Sequence, residues 1–533
     1  MTSTELSAKL KEEGNDLYYR SRYNEARQKF TEAITSDPTN PILYANRAAV
    51  HVAQNRYLDA AWDCQKAIDL DPKYSKAWGR LGVAAQGLRD WEFCINSFQE
   101  ALKYLPVNEA RLTLLERKLK DRYIEGIASA QVAQSQRENP AVAMPWDRAK
   151  AVECEKMAQE NESSAFVILE AYSEFRTGVD ILNALRVKVS PLVGAEWGGK
   201  LGGIEALCNA IIADERVFHI DEMRWIDMFT NQCAFEEEVL GGWSEKGDPE
   251  FAKQKSMARL RNMGWSDTRP AIAVTVRIWV VKAFIKSHFE GHRDVAHGLY
   301  TAAIEVLEWG CRQWSQVNRN ERGAVFEKSY IRGIKRLKMV NMQKALIEKR
   351  TSQLPFTLND ISQLARYIIA DVDLNPASAE LTGDKFRGIR SAFWTYPKAS
   401  ALSILGWCHA CDAMRAEKEC PAQSLATYRR AAEFYEKAGS LYPSDDENHA
   451  HFLRMALDCL CNANATLGDI LPMCKRIRLA IPQALDLWQI PRTENSLVIY
   501  LEDVSDFEER QMKDIAQGRV TIKSTARIER AIP

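Results

Sequence analysis

The sequence predicts an all-α protein in which three tandem helix-turn-helix repeats and a capping helix precede a larger helical region. The first reason is a 34-residue period in the residues that pack and end helices, which runs from residue 10 to residue 106. The second is the spacing of apolar residues at three and four positions over much of the remaining chain. Because the chain has 533 residues, several domains or an extended solenoid are expected rather than one compact core.

Five columns of residues recur in step at the 34-residue spacing. They are Gly14, Ala48 and Gly82; Ala26, Ala60 and Cys94; Phe30, Cys64 and Phe98; Ala33, Ala67 and Ala101; and Pro38, Pro72 and Pro106. The small residues permit close contact between two helices, and the aromatic residues fill the space between helix pairs. Each proline ends a unit, because proline breaks a helix that would otherwise continue through it.

The period and the breaks in composition also predict the boundaries of the domains. These are a repeat domain at 1–133 (repeats at 7–40, 41–74 and 75–108, capping helix at 108–133), a linker at 134–146, a helical middle region at 147–390, a helical C-terminal region at 391–500 and a tail at 501–533. The capping helix is expected to be polar on its outer side and to pack through leucines on its inner side.

Helical spacing continues beyond the linker. It predicts helices over 166–185, 203–213, 222–240 and 294–311, and the glycines of 194–203 predict a flexible turn. Near the C-terminus, four residues have the internal spacing of Ala26, Phe30, Ala33 and Pro38; they are Ala431, Tyr435, Ala438 and Pro443. We interpret them, with a helix at 399–413, as a degenerate repeat hairpin, although alanine and aromatic residues also recur in any packed helix.

Residues 328–349 form a basic amphipathic segment. Its lysines and arginines favour a solvated helix face, and contact with an anionic partner or a lipid surface is the alternative. Over the whole chain, 71 basic residues almost cancel 72 acidic ones, so general attraction to nucleic acid is not indicated.

The composition also bears on the cellular setting. The most apolar window, 271–285, contains Arg277 and Lys282 and is shorter than a bilayer span, so we expect a buried helix or strand. The chain has 12 cysteines and no signal-peptide pattern, which predicts reduced thiols and a cytoplasmic protein.

The first helix of each repeat lines the concave side of a stacked array, so polar residues there are candidates for contact with a peptide. They are Lys11 and Asn15 in the first repeat, Asn46 in the second, and Lys76 and Arg80 in the third. Lys11 and Asn15 are four residues apart, as are Lys76 and Arg80, so each pair occupies one helix face. Three helices can therefore converge on one ligand.

The period and these residues resemble the tetratricopeptide repeat (TPR) domains of co-chaperones in the Hop/Sti and small glutamine-rich families. The matching motifs are KEEGN with Lys11 and Asn15, LYANRAA with Asn46, and YSKAWGR with Lys76 and Arg80. In those families the five positions form a carboxylate clamp for the acidic Glu-Glu-Val-Asp tail of cytosolic heat-shock chaperones of the 70 and 90 classes. The resemblance implies the same ligand here, from either class, and the role of a co-chaperone or adaptor.

The chemistry of such a tail explains these residue types. A peptide that ends in Asp presents two neighbouring carboxylates, and each needs several donors to replace the water it loses. The three basic side chains supply charge, and the two amides supply neutral donors. Charge-assisted hydrogen bonds contribute about 1.5–3 kcal/mol each before the cost of ordering the peptide. We therefore expect reversible, salt-sensitive binding in the micromolar range.

Other motifs favour structural roles. Cys408 and Cys411 have the spacing of half a zinc site, and a structural site would need a second ligand pair. The nearby candidates are Cys420, His449, His451, Cys459 and Cys461. The stretch around the two histidines has the pattern of one amphipathic helix, so core thiols are the preferred interpretation and zinc is the alternative. The glycines of 197–207 lack the Lys-Ser/Thr ending of a phosphate loop. Because the sequence contains no catalytic motif, we predict no catalytic residue, no metal site, no cofactor and no enzymatic activity.

Two other functions stay open. Residues 147–500 could contain an enzyme or a lipid- or protein-binding factor that the repeats recruit, and a buried polar constellation in a pocket would favour this alternative. The chain could instead be a purely structural scaffold, whose repeats bind an internal peptide.

Overall fold

The computed structural model describes residues 3–106, 112–137, 144–158, 162–190, 194–220, 222, 224–245, 247–348, 354–381, 383–488 and 491–525. These residues divide into two compact units. The first unit comprises Met1–Val142, His219–Asn231 and Ile285–His292, and the second comprises Ala143–Phe218, Gln232–Phe284 and Arg293–Pro533.

The described residues of the first unit begin with seven helices. Their bounds are α1 Ser3–Tyr19, α2 Tyr23–Ser36, α3 Pro41–Ala53, α4 Tyr57–Leu70, α5 Ser75–Leu88, α6 Trp91–Lys103 and α7 Leu114–Arg137. Helix α1 packs against α2, α3 against α4, and α5 against α6. The three predicted helical hairpins are therefore confirmed.

The small and aromatic columns of the sequence form the contacts inside these hairpins. A Cβ atom placed on Gly14 would lie 2.8 Å from the Phe30 ring, and one placed on Gly82 would lie 2.7 Å from the Phe98 ring. The second repeat has Ala48 in the glycine column and Cys64 in the aromatic column, and both residues are fully buried. In the second repeat the alanine is larger than glycine and the cysteine is smaller than phenylalanine, so the two changes together keep the interior filled.

Helix α7 caps the third repeat through an aromatic residue as well as a leucine. Tyr123 stacks on Phe98 with ring centroids 5.8 Å apart, and its hydroxyl donates to the carbonyl oxygen of Ser75 at 3.4 Å. Leu114 and Leu115 are exposed, whereas Leu119 packs against the buried cluster that contains Phe98 and Tyr123, so the aromatic ring and one of the leucines anchor the helix. The helix begins at Leu114 instead of 108; residues 107–111, and 138–143 of the predicted linker, lie outside the described residues.

The remaining elements are helical except for one pair of strands. In chain order they are α8 Pro145–Ala158, α9 Ser164–Ala184, β1 Arg186–Ser190, β2 Gly194–Gly198, α10 Gly203–Ala213, α11 Trp225–Leu240, α12 Pro249–Met263, α13 Trp265–His288, α14 Arg293–Gln313, α15 Arg319–Arg322, α16 Lys328–Glu348, α17 Leu358–Leu374, α18 Arg387–Arg390, α19 Tyr396–Ala416, α20 Pro421–Leu441, α21 Glu447–Asn462, α22 Leu467–Leu487 and α23 Pro491–Ala516. The predicted all-α class is confirmed.

Two differences from the predicted elements are local. Strands β1 and β2 pair antiparallel, with Arg186 opposite Gly198 and Ser190 opposite Gly194, where the sequence predicted a glycine-rich turn. Helix α23 continues to Ala516 across the predicted start of the tail at 501, and residues 526–533 lie outside the described residues.

The second unit repeats the packing of the N-terminal hairpins. Helices α19 and α20 form a hairpin, and a Cβ atom placed on Gly406 would lie 2.9 Å from the Tyr435 ring. Ala431 and Ala438 are fully buried. Helices α21 and α22 continue the stack, so the TPR-like hairpin predicted for this region is confirmed.

The apolar window at 271–285 lies within α13, and its residues are largely buried. Among the residues that the structure describes, none of the helices combines the length and the apolar character that a bilayer crossing requires.

The predicted solvated face of the basic segment is wrong. On α16, Arg332, Lys335 and Arg336 are only 2%, 6% and 6% exposed. Nε of Arg332 lies 2.7 Å from the Asp371 carboxylate, and Nζ of Lys335 lies 2.6 Å from the Glu308 carboxylate. The partners come from other helices, which the spacing within one segment does not reveal.

Candidate peptide-binding site

The five predicted clamp residues lie on the first helices of the three hairpins. Lys11 and Asn15 are on α1, Asn46 is on α3, and Lys76 and Arg80 are on α5; all five are half-buried. Gly14, Ala48 and Gly82 occupy the faces that pack inside the hairpins. The predicted clamp residues are therefore polar neighbours of the close helix contacts inside the hairpins.

The structure brings three of the five into a line of hydrogen bonds. Nδ2 of Asn46 donates to Oδ1 of Asn15 at 3.3 Å, and Nη1 of Arg80 donates to Oδ1 of Asn46 at 3.2 Å. Asn46 and Arg80 are 34 residues apart, so they hold the same position in consecutive repeats. Side chains from three helices are thereby oriented together before any ligand binds.

Lys11 and Lys76 are not part of this line. Within the described part of the chain, neither lysine has a hydrogen bond or a carboxylate partner, and Arg80 has no carboxylate partner. Three cations thus lie on the same three helices as two amides, and none of the three forms an ion pair among the described residues. Such a surface favours an anionic ligand, although the Glu116 carboxylate interacts electrostatically with Lys76 at longer range.

Other charges of these repeats are paired, and sequence reasoning missed them. Lys29 contacts Glu13 at 2.9 Å, and Arg47 contacts Asp63 at 2.7 Å. Arg47 lies 34 residues after Glu13, and Asp63 lies 34 residues after Lys29, so the second pair has the positions of the first with the charges exchanged. A comparison of charged residues at the 34-residue spacing would have predicted both pairs.

The second of these pairs is the more deeply buried. Asp63 is 1% exposed and accepts hydrogen bonds from Nε and Nη2 of Arg47 at 2.8 Å and 2.7 Å. Burial opposes the charged guanidinium, but the hydrogen bonds and charge of Asp63 outweigh it and raise the pKa of Arg47. This ion pair holds α3 against α4 and is not available to a ligand.

His51 lies beside the same pair. Burial, together with the charges of Arg56, Arg47 and Arg27, lowers the pKa of His51 to about 2. The ring is therefore neutral at physiological pH, with Nε2 3.5 Å from the Asp63 carboxylate.

One cluster of potential metal ligands lies in the first unit and consists of Asp59, Glu290 and His292. Nη2 of Arg56 lies 2.9 Å from Asp59 and 2.6 Å from Nε2 of His292, and Nδ1 of His292 lies 3.1 Å from Glu290. Because the guanidinium already supplies the positive charge, we interpret the cluster as an ion-pair network.

The cysteines considered for zinc lie on one helix of the second unit. Cys408 belongs to a buried apolar cluster, and burial raises its pKa to about 12. Burial also raises the pKa of Cys411, which is half-buried. Both environments therefore favour the neutral thiol, as in an apolar core.

Comparison with known proteins assigns the N-terminal repeats. Residues 14–55 match the family model described as TPR repeat. The N-terminal repeats are tetratricopeptide repeats. They are similar to those of the Schizosaccharomyces pombe heat shock protein sti1 homolog, with 34% identity over 131 residues, which cover 25% of this chain and 20% of that protein.

Two further similarities concern the same TPR region. The Aspergillus fumigatus heat-shock protein cognate (HSC) co-chaperone sgt12 is 39% identical over 100 residues, which cover 19% of this chain and 29% of that protein. The solved first TPR of Spaghetti (RPAP3), bound to the HSP90 peptide SRMEEVD, is 25% identical with a TM-score of 0.22, and the match covers 25% of this chain and 97% of that one. The chain spans less than a third of the length of these two curated relatives.

Proposed function

We propose that the chain is a co-chaperone or adaptor whose TPR domain binds the acidic C-terminal tail, of the Glu-Glu-Val-Asp type, of heat-shock chaperones of the 70 or 90 class. The observation that carries the proposal is the line from Asn15 through Asn46 to Arg80, which joins three consecutive repeats by two hydrogen bonds. The names of the two curated relatives, a heat shock protein sti1 homolog and an HSC co-chaperone, support it.

The geometry suits a short acidic peptide end. Asn15, Asn46 and Arg80 already hold one another in place, so fewer side chains lose freedom when the ligand binds. Lys11 and Lys76 have no hydrogen bond or ion pair among the described residues, and can turn toward the two carboxylates of a terminal Asp. In this proposal the chain acts in the cytosol, by binding rather than by catalysis, and needs no cofactor.

Titration of the full-length protein with a free-acid Glu-Glu-Val-Asp peptide tests the proposal. Lys76→Ala and Arg80→Ala should each weaken binding about tenfold, which corresponds to about 1.4 kcal/mol. Lys66→Ala is the matched control, because it removes one charge from an exposed position on α4, and it should bind within twofold of the wild type.

The clamp also predicts unchanged folding in these variants. Lys76 and Arg80 are half-buried and have no ion pair to lose among the described residues. Equal peptide affinity in the wild type and all three variants would contradict the proposal, and so would a loss of binding that accompanies a large fall in melting temperature.

A further inference from the structure

The basic face of α16 in the second unit contains one cation that lacks the compensation given to its neighbours. Arg332 has the Asp371 carboxylate at 2.7 Å, and its Nη1 also donates to the carbonyl oxygen of Phe393 at 2.8 Å. Lys335 has the Glu308 carboxylate at 2.6 Å and lies 3.6 Å from the centroid of the Tyr367 ring. Both charges are neutralised where they are buried.

Arg336 is equally buried, at 6% exposure, but its surroundings differ. Its Nη2 donates to the carbonyl oxygen of Ile212 at 3.0 Å, and its buried Nε has no hydrogen-bond partner. Among the described residues no carboxylate forms an ion pair with it. A buried charge without a counter-charge is costly, so this arginine calls for an explanation beyond one bond to the end of α10.

Arg336 lines a cavity of about 470 Å³ formed by α16, α19, α20 and α21. Its apolar walls are aromatic, with Trp407, Tyr435 and Phe452, and its volume lies in the range of pockets that hold small organic ligands. A second arginine in the lining, Arg216, is already bound by Asp214 and Asp446, at 2.6 Å and 2.9 Å. Of the two arginines in the lining, Arg336 is therefore the one without an ion pair among the described residues, although the carboxylate of Glu215 lines the same cavity.

Neutral polar groups also line the cavity. Gln343, Asn448 and His451 line the same cavity, and burial lowers the pKa of His451. No hydrogen bond to either ring nitrogen of His451 comes from the part of the chain that the structure describes. The lining thus combines these uncharged donors and acceptors with Arg336, with the paired Arg216 and Asp214, and with the carboxylate of Glu215, which forms no ion pair with Arg336.

The position of the cavity follows from the repeat architecture. In the first hairpin, Lys11 lies three residues before Gly14 and Asn15 lies one residue after it. In α19 the residues three before and one after Gly406 are Ser403 and Trp407, and both line the cavity. The side of the hairpin that carries the clamp in the first unit carries an aromatic cavity in the second.

We propose that this cavity binds a small organic monoanion, with its acidic group on Arg336 and its apolar body against Trp407, Tyr435 and Phe452. Arg336 can neutralise one negative charge, and the Glu215 carboxylate in the same lining repels a second one, which favours a carboxylate over a doubly charged phosphate. The acid can come from two sources, an aromatic acid or a fatty acid, which share this chemistry.

The test uses the full-length protein and two fluorescent probes of similar shape. One is 1-anilinonaphthalene-8-sulfonate, a monoanion, and the other is N-phenyl-1-naphthylamine, which lacks the charge. Arg336→Gln keeps a donor for the Ile212 carbonyl and removes the charge. It should weaken binding of the anionic probe at least tenfold and of the neutral probe less than twofold, without lowering the melting temperature.

A second pair of variants covers the case in which Arg336→Gln fails to fold. Val340 lines the cavity one helical turn after Arg336, so Val340→Glu places a carboxylate where the ligand's acid would lie. It should abolish binding of the anionic probe, whereas Val340→Gln, of nearly the same shape, should reduce it less than threefold. Displacement of the probe by 2-naphthoate or by decanoate identifies the source of the acid.

The outcomes that would overturn the proposal are specific. Anionic-probe binding that is unchanged in both Arg336→Gln and Val340→Glu would place the probe elsewhere. Equal loss of both probes would show a packing defect rather than the loss of an anion site. Failure of both acids to displace the probe would also contradict it.

Discussion

The hairpins α1–α2 and α19–α20 have the same contact at their centres and different residues beside it. Gly14 packs against Phe30 in the first, and Gly406 packs against Tyr435 in the second. Beside the glycine, the first hairpin presents Lys11 and Asn15, whereas the second presents Ser403 and Trp407. The glycine–aromatic contact fixes the helix pair, and the neighbouring positions determine what it can bind.

The difference shows how one repeat geometry serves two kinds of surface. In the first unit, cations without carboxylate partners among the described residues lie on half-buried positions, which suits an acidic peptide end. In the second unit, aromatic side chains line a cavity in which the buried Arg336 has no ion pair among the described residues. The charged side chains of the first unit therefore belong to two groups. Some form ion pairs that stabilise the fold, and others remain available to a ligand.

The largest effect should come from breaking the buried pair of the second repeat. Asp63→Ala leaves Arg47 without the carboxylate that accepts two of its hydrogen bonds, and should lower the free energy of unfolding by about 3 kcal/mol. The matched control is Glu13→Ala in the more exposed pair with Lys29, which should cost clearly less because solvent screens that pair. Urea denaturation measures both, and equal losses would contradict the division between structural and available charges.

A smaller effect is expected from filling the glycine column. Gly82→Ala places a Cβ atom 2.7 Å from the Phe98 ring, and should destabilise the protein by about 1–3 kcal/mol through overpacking. Gly406→Ala, 2.9 Å from Tyr435, should behave alike. Gly298, also helical, has nothing within 4 Å of the added atom, so Gly298→Ala should gain up to about 1 kcal/mol. A rise in the free energy of unfolding in all three variants would show that the two hairpins do not depend on the close contact between glycine and aromatic ring.

His51 should make the N-terminal repeats sensitive to acid. Its folded pKa of about 2 lies below the ordinary value of 6.5, so between these values the unfolded chain binds a proton that the folded protein does not. Stability therefore falls as the pH drops below 6.5, by up to about 1.4 kcal/mol per pH unit from this group. His51→Gln should reduce the slope of unfolding free energy between pH 6.5 and pH 5 by about that amount, and an unchanged slope would disprove the assignment.

The smallest effect concerns the stability of the clamp variants. Lys11→Ala should change the free energy of unfolding by less than about 0.5 kcal/mol, as for an ordinary surface substitution. A loss comparable to that of Asp63→Ala would mean that Lys11 holds the fold, and would remove it from the set of available cations.

Sequence predicted the features that repeat and missed those that depend on contacts between distant helices. The period placed Gly14, Phe30 and their counterparts in the core because packing recurs every 34 residues. It could not show that Asn46 links Asn15 to Arg80, since a hydrogen bond across repeats depends on how the hairpins stack. The burial of Arg336 was missed for the same reason, because an isolated basic helix has the pattern of a solvated one.

The most direct measurement compares the affinity of the full-length protein for a free-acid Glu-Glu-Val-Asp peptide and for the same peptide with a C-terminal amide. The amide removes one of the two neighbouring carboxylates and leaves the rest of the peptide unchanged. The clamp predicts that the free acid binds at least tenfold more tightly at low salt, with the difference reduced in Arg80→Ala. Equal affinity for the two peptides would contradict the central claim that these residues form a carboxylate-binding site.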